Sequence, residues 1–182
     1  MAEPIRSGAF AARTFRPSIL EFPDARLRRQ AAPVDVFDED LAALAGELLG
    51  RVQGDEVLGL AAPQIDELRR VLVIRPTFDL DAPRVYVNPE ITARRGLGFV
   101  EERCLSLPGV AGTVRRAMAV DVVAQDLEGT RFETRLEAMD AVCLQHELDH
   151  LDGVLFVDRL SFFRRRRFRR EERDATTATL GG

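Results

Sequence analysis

An α+β fold is predicted by three features of the sequence: a helical period over roughly residues 39–53, a succession of short β-branched runs between 57 and 137, and a second helical period over about 138–151. Strands that follow one another without helices between them argue against a parallel sheet and for segregated helices and strands. Residues 1–17 (MAEPIRSGAFAARTFRP) hold no sustained period and are expected to form a flexible N-terminal extension, although its arginines would also suit an organelle transit peptide. Pro23 and Pro33 mark extended segments and turns. Asp38 is suited to cap the first helix, in which Leu41, Leu44, Ala45, Leu48 and Val52 recur with a helical period and Glu39 and Asp40 complement the dipole. Strands are expected at 71–74 (VLVI), 84–88 (RVYVN), 97–101, 119–124 (AVDVVA) and 131–137 (RFETRLE), separated by turns containing Pro, Gly and Asp. Met139, Val142, Cys143, His146 and His150 form one stripe of the second helix, and Gly153 stands where that helix should stop.

At 182 residues, with 46% hydrophobic and 31% charged residues, the chain can bury a core and is expected to fold as one compact domain over 18–160. That composition excludes a wholly disordered protein. No apolar run approaches the ~20 residues that a membrane helix needs, and two cysteines are too few for a disulfide framework, so a cytoplasmic protein is expected. All 26 basic residues are arginine, which points to codon usage rather than to a function. Eight of them fall in 159–173 (RLSFFRRRRFRREER) against Glu171 and Glu172, a local +6 on a chain of net charge −4. Residues 161–182 are therefore expected to form a basic helix and a disordered tail. An acidic partner such as ribosomal RNA suits this arm, and a solvated helix face is the alternative.

The only two histidines lie four residues apart in QHELDHL, residues 145–151. Four helical residues turn through about 400°, so both imidazoles leave the same face about 6 Å apart along the axis and can converge on one cation. Glu147 projects beside that face, where it can act on a water as general base. A third protein ligand is still needed. HELDHLDGVLF puts Phe156 where the zinc proteases with a longer HExxHxxGxxH motif have a third histidine, so that class is excluded. Cys143 lies about 10 Å along the axis from His150, too far for its short side chain, and is better suited to a pocket wall or core. Cys104 and a downstream acid such as Asp158 remain. Cys104 sits in EERCLSLPGV beside a polar turn, where a divalent ion would stabilise its thiolate. GLAAPQ, residues 59–64, sets small residues, which admit a ligand close to the backbone, beside Gln64, an amide able to donate to a developing oxyanion.

Taken in order, GLAAPQI (59–65), ERCLS (102–106) and QHELDHLDGVLFVDRLS (145–161) resemble the three motifs of the peptide deformylases, and the resemblance extends from about Ile19 to Leu160. It implies antiparallel β-sheets wrapped around a central helix that bears HExxH. It also implies an enzyme that hydrolyses the formyl group from the N-terminal formyl-methionine of nascent polypeptides and releases formate. Residue by residue, it implies Cys104, His146 and His150 as metal ligands, Glu147 as general base, Gln64 and the Leu105 N–H as oxyanion donors, and Gly59 beside the substrate backbone. Val142, Cys143 and Met139 would line the methionine pocket. The implied cofactor is one divalent ion, Fe²⁺ by preference, with Ni²⁺, Co²⁺ or Zn²⁺ as substitutes. Some members end in a basic helix that docks on the ribosome, and 159–173 is similar in position and charge.

Two positions depart from the family pattern. Val57 stands where the first motif usually has glycine, and Arg103 where the second commonly does, so both are expected to modify the substrate site. Two other readings follow from the same residues: a zinc endopeptidase with Asp158 as third ligand, and a catalytically altered paralogue that binds ribosomes or RNA.

Overall fold

The computed structural model describes residues 18–52, 57–77, 83–166, 168 and 170. The expected N-terminal extension, 1–17, and the end of the arm beyond 170 lie outside them. Helix α1, Glu39–Arg51, begins as its sequence requires: the Asp38 side chain accepts from the Leu41 N–H at 3.0 Å, and Leu41, Leu44, Ala45 and Leu48 are buried. Strands β1 (Gly59–Ala61), β2 (Val71–Ile74), β3 (Arg84–Cys104), β4 (Leu107–Gln125) and β5 (Arg131–Glu137) form one antiparallel sheet in that order.

The run VLVI of β2 is apolar throughout because both of its faces are covered. Val71 and Val73 pack with Leu41, Leu44 and Leu48 of α1, while Leu72 and Ile74 pack with Leu144, Leu148 and Leu151 of helix α2, Ala138–Leu151. Alternation with period two thus sorts one short strand between two cores.

The structure departs from the expected elements in two ways. The segments 84–88 and 97–101 belong to one strand, and 119–124 is the far half of another. Residues 94–97 are polar or exposed on both faces, so hydrophobicity lapses there although pairing with β4 continues through Arg94↔Val120 and Leu97↔Ala117. Helix α2 is also more than a half-buried stripe: every residue from Ala141 to Leu151 is buried. Its polar members are accommodated by partners, as where Gln145 accepts from the Ala117 N–H at 3.1 Å and donates to the Ala117 carbonyl at 2.8 Å. The helix stops at Gly153, which has φ +70, and a Cβ there would lie 2.4 Å from the Arg28 carbonyl oxygen. Beyond it, a 3₁₀ turn at Phe156–Arg159 leads into a helical turn over 162–166, and Phe168 rests on Phe22 with ring centroids 5.5 Å apart. No helix among the described residues is long and apolar enough to cross a membrane.

Candidate metal centre

Residues two apart on a strand point to the same face. At the end of β3, Glu102 and Cys104 turn inward and are buried, while Glu101 and Arg103 turn outward and are exposed. The two-residue turn Leu105–Ser106 then reverses the chain, with Cys104 paired to Leu107. Cys104 thereby meets α2, where His146 and His150 leave one face one turn apart, their rings 5.0 Å between centroids.

One ligand atom each from Cys104, His146 and His150 lies within 4.8 Å of the others, and Cys104 Sγ is 3.2 Å from His150 Nε2. Donors bound to a single tetrahedral ion at ordinary bond lengths lie about 3.5 Å apart, so the spacing fits. The chemistry of the set fits as well, since one thiolate and two imidazoles suit a divalent transition metal. His146 Nδ1 is 2.8 Å from Glu102 Oε2, which leaves Nε2 for the ion and fixes the ring. Burial pushes the His150 pKa down and keeps the imidazole in the neutral form that binds metals.

Glu102 is itself anchored by a buried arginine. Arg116 Nε and Nη2 donate to its two oxygens at 2.7 and 2.9 Å, and Nη1 donates to Asp149 at 2.7 Å. Burial would raise the Glu102 pKa, but hydrogen bonds from Arg116 and His146 outweigh it and hold the pKa at about 2. Asp149 also accepts from Arg159. Glu102, Arg116 and Asp149 carry the orientation of the site, and none was expected from the sequence. The available signal was Arg116 itself, a charge in phase with the inward-facing Val114, Val120 and Val122 of β4.

Glu147 is 4% exposed, and its Oε2 has no partner among the described residues. Burial, with Glu102 and Asp149 adding, raises its pKa to about 7 against the opposing pull of His146 and Arg116. A carboxylate in that state can both take and return a proton near neutral pH. Gln64 is held by accepting from the Ala61 N–H at 2.9 Å, and its Nε2 donates to Ser106 Oγ at 3.2 Å and lies 3.7 Å from Cys104 Sγ.

These groups border a cavity of about 340 Å³. Val142, Cys143 and Met139 form its α2 wall, and Val57, Gly59, Arg103 and Leu105 lie around it. Every site residue that the deformylase resemblance implies is therefore brought to one cavity or to the ligand cluster at its edge. Asp158 is not: it pairs with Arg28 and accepts from the Leu155 N–H at 3.0 Å, which overturns the endopeptidase reading.

The model of the family described as Polypeptide deformylase matches residues 17–166. The peptide deformylase of Chromobacterium violaceum is 43% identical over 152 residues, which is 84% of this chain and 91% of that one. Peptide deformylase 2 of Xanthomonas campestris is 43% identical over 156 residues, 84% of this chain and 92% of its own. Among solved structures, a peptide deformylase from Legionella pneumophila superposes with a TM-score of 0.78 at 43% identity, covering 90% of this chain and 97% of that one. Peptide deformylase 1B of Arabidopsis thaliana, in complex with an inhibitor, gives a TM-score of 0.80 at 33% identity over 88% of this chain and 91% of that one.

Proposed function

The chain belongs to the polypeptide deformylase family, and from that premise we propose that Cys104, His146 and His150 hold its metal while Glu147 moves the protons of the reaction. The protein is a metal-dependent hydrolase that removes the formyl group from the N-terminal formyl-methionine of nascent polypeptides. The observation that supports the assignment of residues is the convergence of one thiol and two imidazoles beside a buried carboxyl with an unpartnered oxygen.

A divalent ion held by those three residues would polarise the formyl carbonyl and acidify a water molecule; Fe²⁺ is the ion proposed, with Ni²⁺, Co²⁺ or Zn²⁺ able to replace it. Glu147 takes the proton of the attacking water and returns it to the amine nitrogen as the C–N bond breaks and formate leaves. Gln64 Nε2 and the Leu105 N–H donate to the formyl oxygen as it becomes negative. The wall of Val142, Cys143 and Met139 receives the methionine side chain, and Val57 and Arg103 bound the path of the residues that follow it. The enzyme acts in the cytoplasm, and the arm that begins at Arg159 docks it on the ribosome.

The test is formate release from formyl-Met-Ala-Ser by the Fe²⁺- or Ni²⁺-loaded protein. Turnover and one bound metal per chain are expected in the wild type, with loss of both in Cys104→Ser; a Cys104→Ser variant that keeps its metal would remove Cys104 from the ligand set. Gly59→Ala probes the packing of the base. A Cβ at residue 59 would lie 2.7 Å from Cys143 Sγ and 2.8 Å from Glu147 Oε1. Displacement of Glu147 is expected to lower kcat/KM about 10²-fold with little change in metal content. Truncation after Leu160 is expected to weaken salt-sensitive binding to ribosomes, measured by co-sedimentation, and to spare tripeptide turnover.

A further inference from the structure

A second groove of about 510 Å³ lies behind α2, on strands β3 and β4, away from the ligand cluster. Five arginines line it: Arg70, Arg94, Arg115, Arg116 and Arg159. Three acids share that lining, and two of them are already engaged. Asp152 pairs with Arg70 at 2.7 Å, and Asp149 holds both Arg116 and Arg159. Arg94 and Arg115 are exposed, and neither has an ion-pair or hydrogen-bond partner among the described residues. The lining is thus net positive, on a chain that is net negative.

Two further observations indicate what the groove meets. Arg159, the first residue of the basic arm, is one of its walls, and Arg164 Nη1 donates to Thr113 Oγ1 at 3.3 Å, two residues from Arg115 along β4. The groove and the arm therefore form one basic surface. Opposite Arg115 on β3 stands Phe99, 79% exposed, with Leu97 at the groove 71% exposed. Two free guanidinium groups, one of them opposite an exposed aromatic ring, supply phosphate contacts and a stacking surface for unpaired bases.

We propose that the groove formed by Arg94, Arg115 and Arg159, with Phe99 beside it, is an RNA-docking surface that works together with the basic arm. The proposal rests on the deformylase reading only for its biological setting; the chemistry of the groove stands without it. Phosphates bind Arg94 and Arg115, and the buried Asp149 fixes Arg159 at the junction with the arm.

The test uses the full-length metal-loaded protein and a fluorescent RNA stem-loop with a single-stranded flank, read by anisotropy from 50 to 200 mM salt. Arg94→Glu combined with Arg115→Glu is expected to weaken binding by about tenfold or more and to lower the salt slope by about 2, roughly 1 for each lost phosphate contact. Phe99→Ala is expected to weaken binding severalfold at an unchanged salt slope. Turnover of formyl-Met-Ala-Ser serves as the control, since neither arginine touches the catalytic cavity, and should equal the wild type in both variants. Unchanged RNA affinity and slope in the double variant would overturn the proposal. So would displacement of the RNA by polyglutamate at equal charge concentration, which would make this a surface for acidic proteins. Absence of tripeptide turnover in the wild type would overturn the enzymatic reading and leave the RNA result to be judged by itself.

Discussion

Glu147→Gln is expected to lower kcat/KM for formyl-Met-Ala-Ser by about 10³ while the protein retains one metal per chain and its thermal midpoint. General acid–base groups contribute about 10²–10⁴ in rate, and in the mechanism proposed above one side chain serves both half-reactions, taking the proton of the water and returning it to the leaving amine. The amide keeps the size of the carboxyl but can do neither. Its position also argues for a large effect: Glu147 is buried against Gly59 and Cys143, and its Oε2 has no competing hydrogen bond among the described residues. Formate release and metal analysis on the same preparation are the measurements. A loss of less than tenfold with the metal in place would assign proton transfer to another group.

Arg116→Ala is expected to destabilise the fold by about 3–5 kcal/mol, the usual consequence of removing one partner from a buried ionic cluster. At roughly 2–4 °C per kcal/mol for a chain of this size, the thermal midpoint should fall by about 6–20 °C. The reason is that Arg116 serves two buried carboxylates, Glu102 at 2.7 Å and Asp149 at 2.7 Å. Without it Glu102 loses the partner that opposes its burial and keeps only His146, and Asp149 is left with Arg159 alone. Arg116→Lys should recover only part of the loss, because an ammonium cannot reproduce the fork that spans both Glu102 oxygens. Metal affinity is expected to fall with stability, since Glu102 orients His146. A midpoint within about 2 °C of wild type in Arg116→Ala would show that the cluster contributes little.

The chemistry of the centre was legible in the sequence where it is written locally. His146, Glu147 and His150 share one turn of helix, and Gln64 and Cys104 each sit in a short string of distinctive composition. What holds them in place was less legible, because it depends on which strands lie side by side. Glu102 becomes a partner of His146 only once β3 is extended and Cys104 faces α2. Arg116 becomes its anchor only once β4 is paired to β3 with Glu102 opposite Gly112. Asp149 reads as a filler position within HELDH, yet it joins the Glu102 and Arg116 cluster to the C-terminal arm through Arg159. The fold shows the same division. The helix boundaries and the short buried strand VLVI follow from periodicity, whereas the length of β3 does not, because backbone pairing carries it through a stretch with no hydrophobic signal.

The separation of the ligands along the chain sets the order in which the protein can be completed during its own synthesis. Cys104 and His150 are 46 residues apart, with all of β4, β5 and most of α2 between them. A ribosome-bound fragment that ends before α2 carries the thiol and neither imidazole. It can form the β3–β4 hairpin, whose contacts are local, but it cannot hold an ion with three protein ligands. Metal capture therefore belongs to a late stage of biogenesis, after the sheet exists and α2 has docked. The ion that enters is then selected by what the surrounding compartment offers at that moment, more than by any intrinsic ranking among ions that suit one sulfur and two nitrogens.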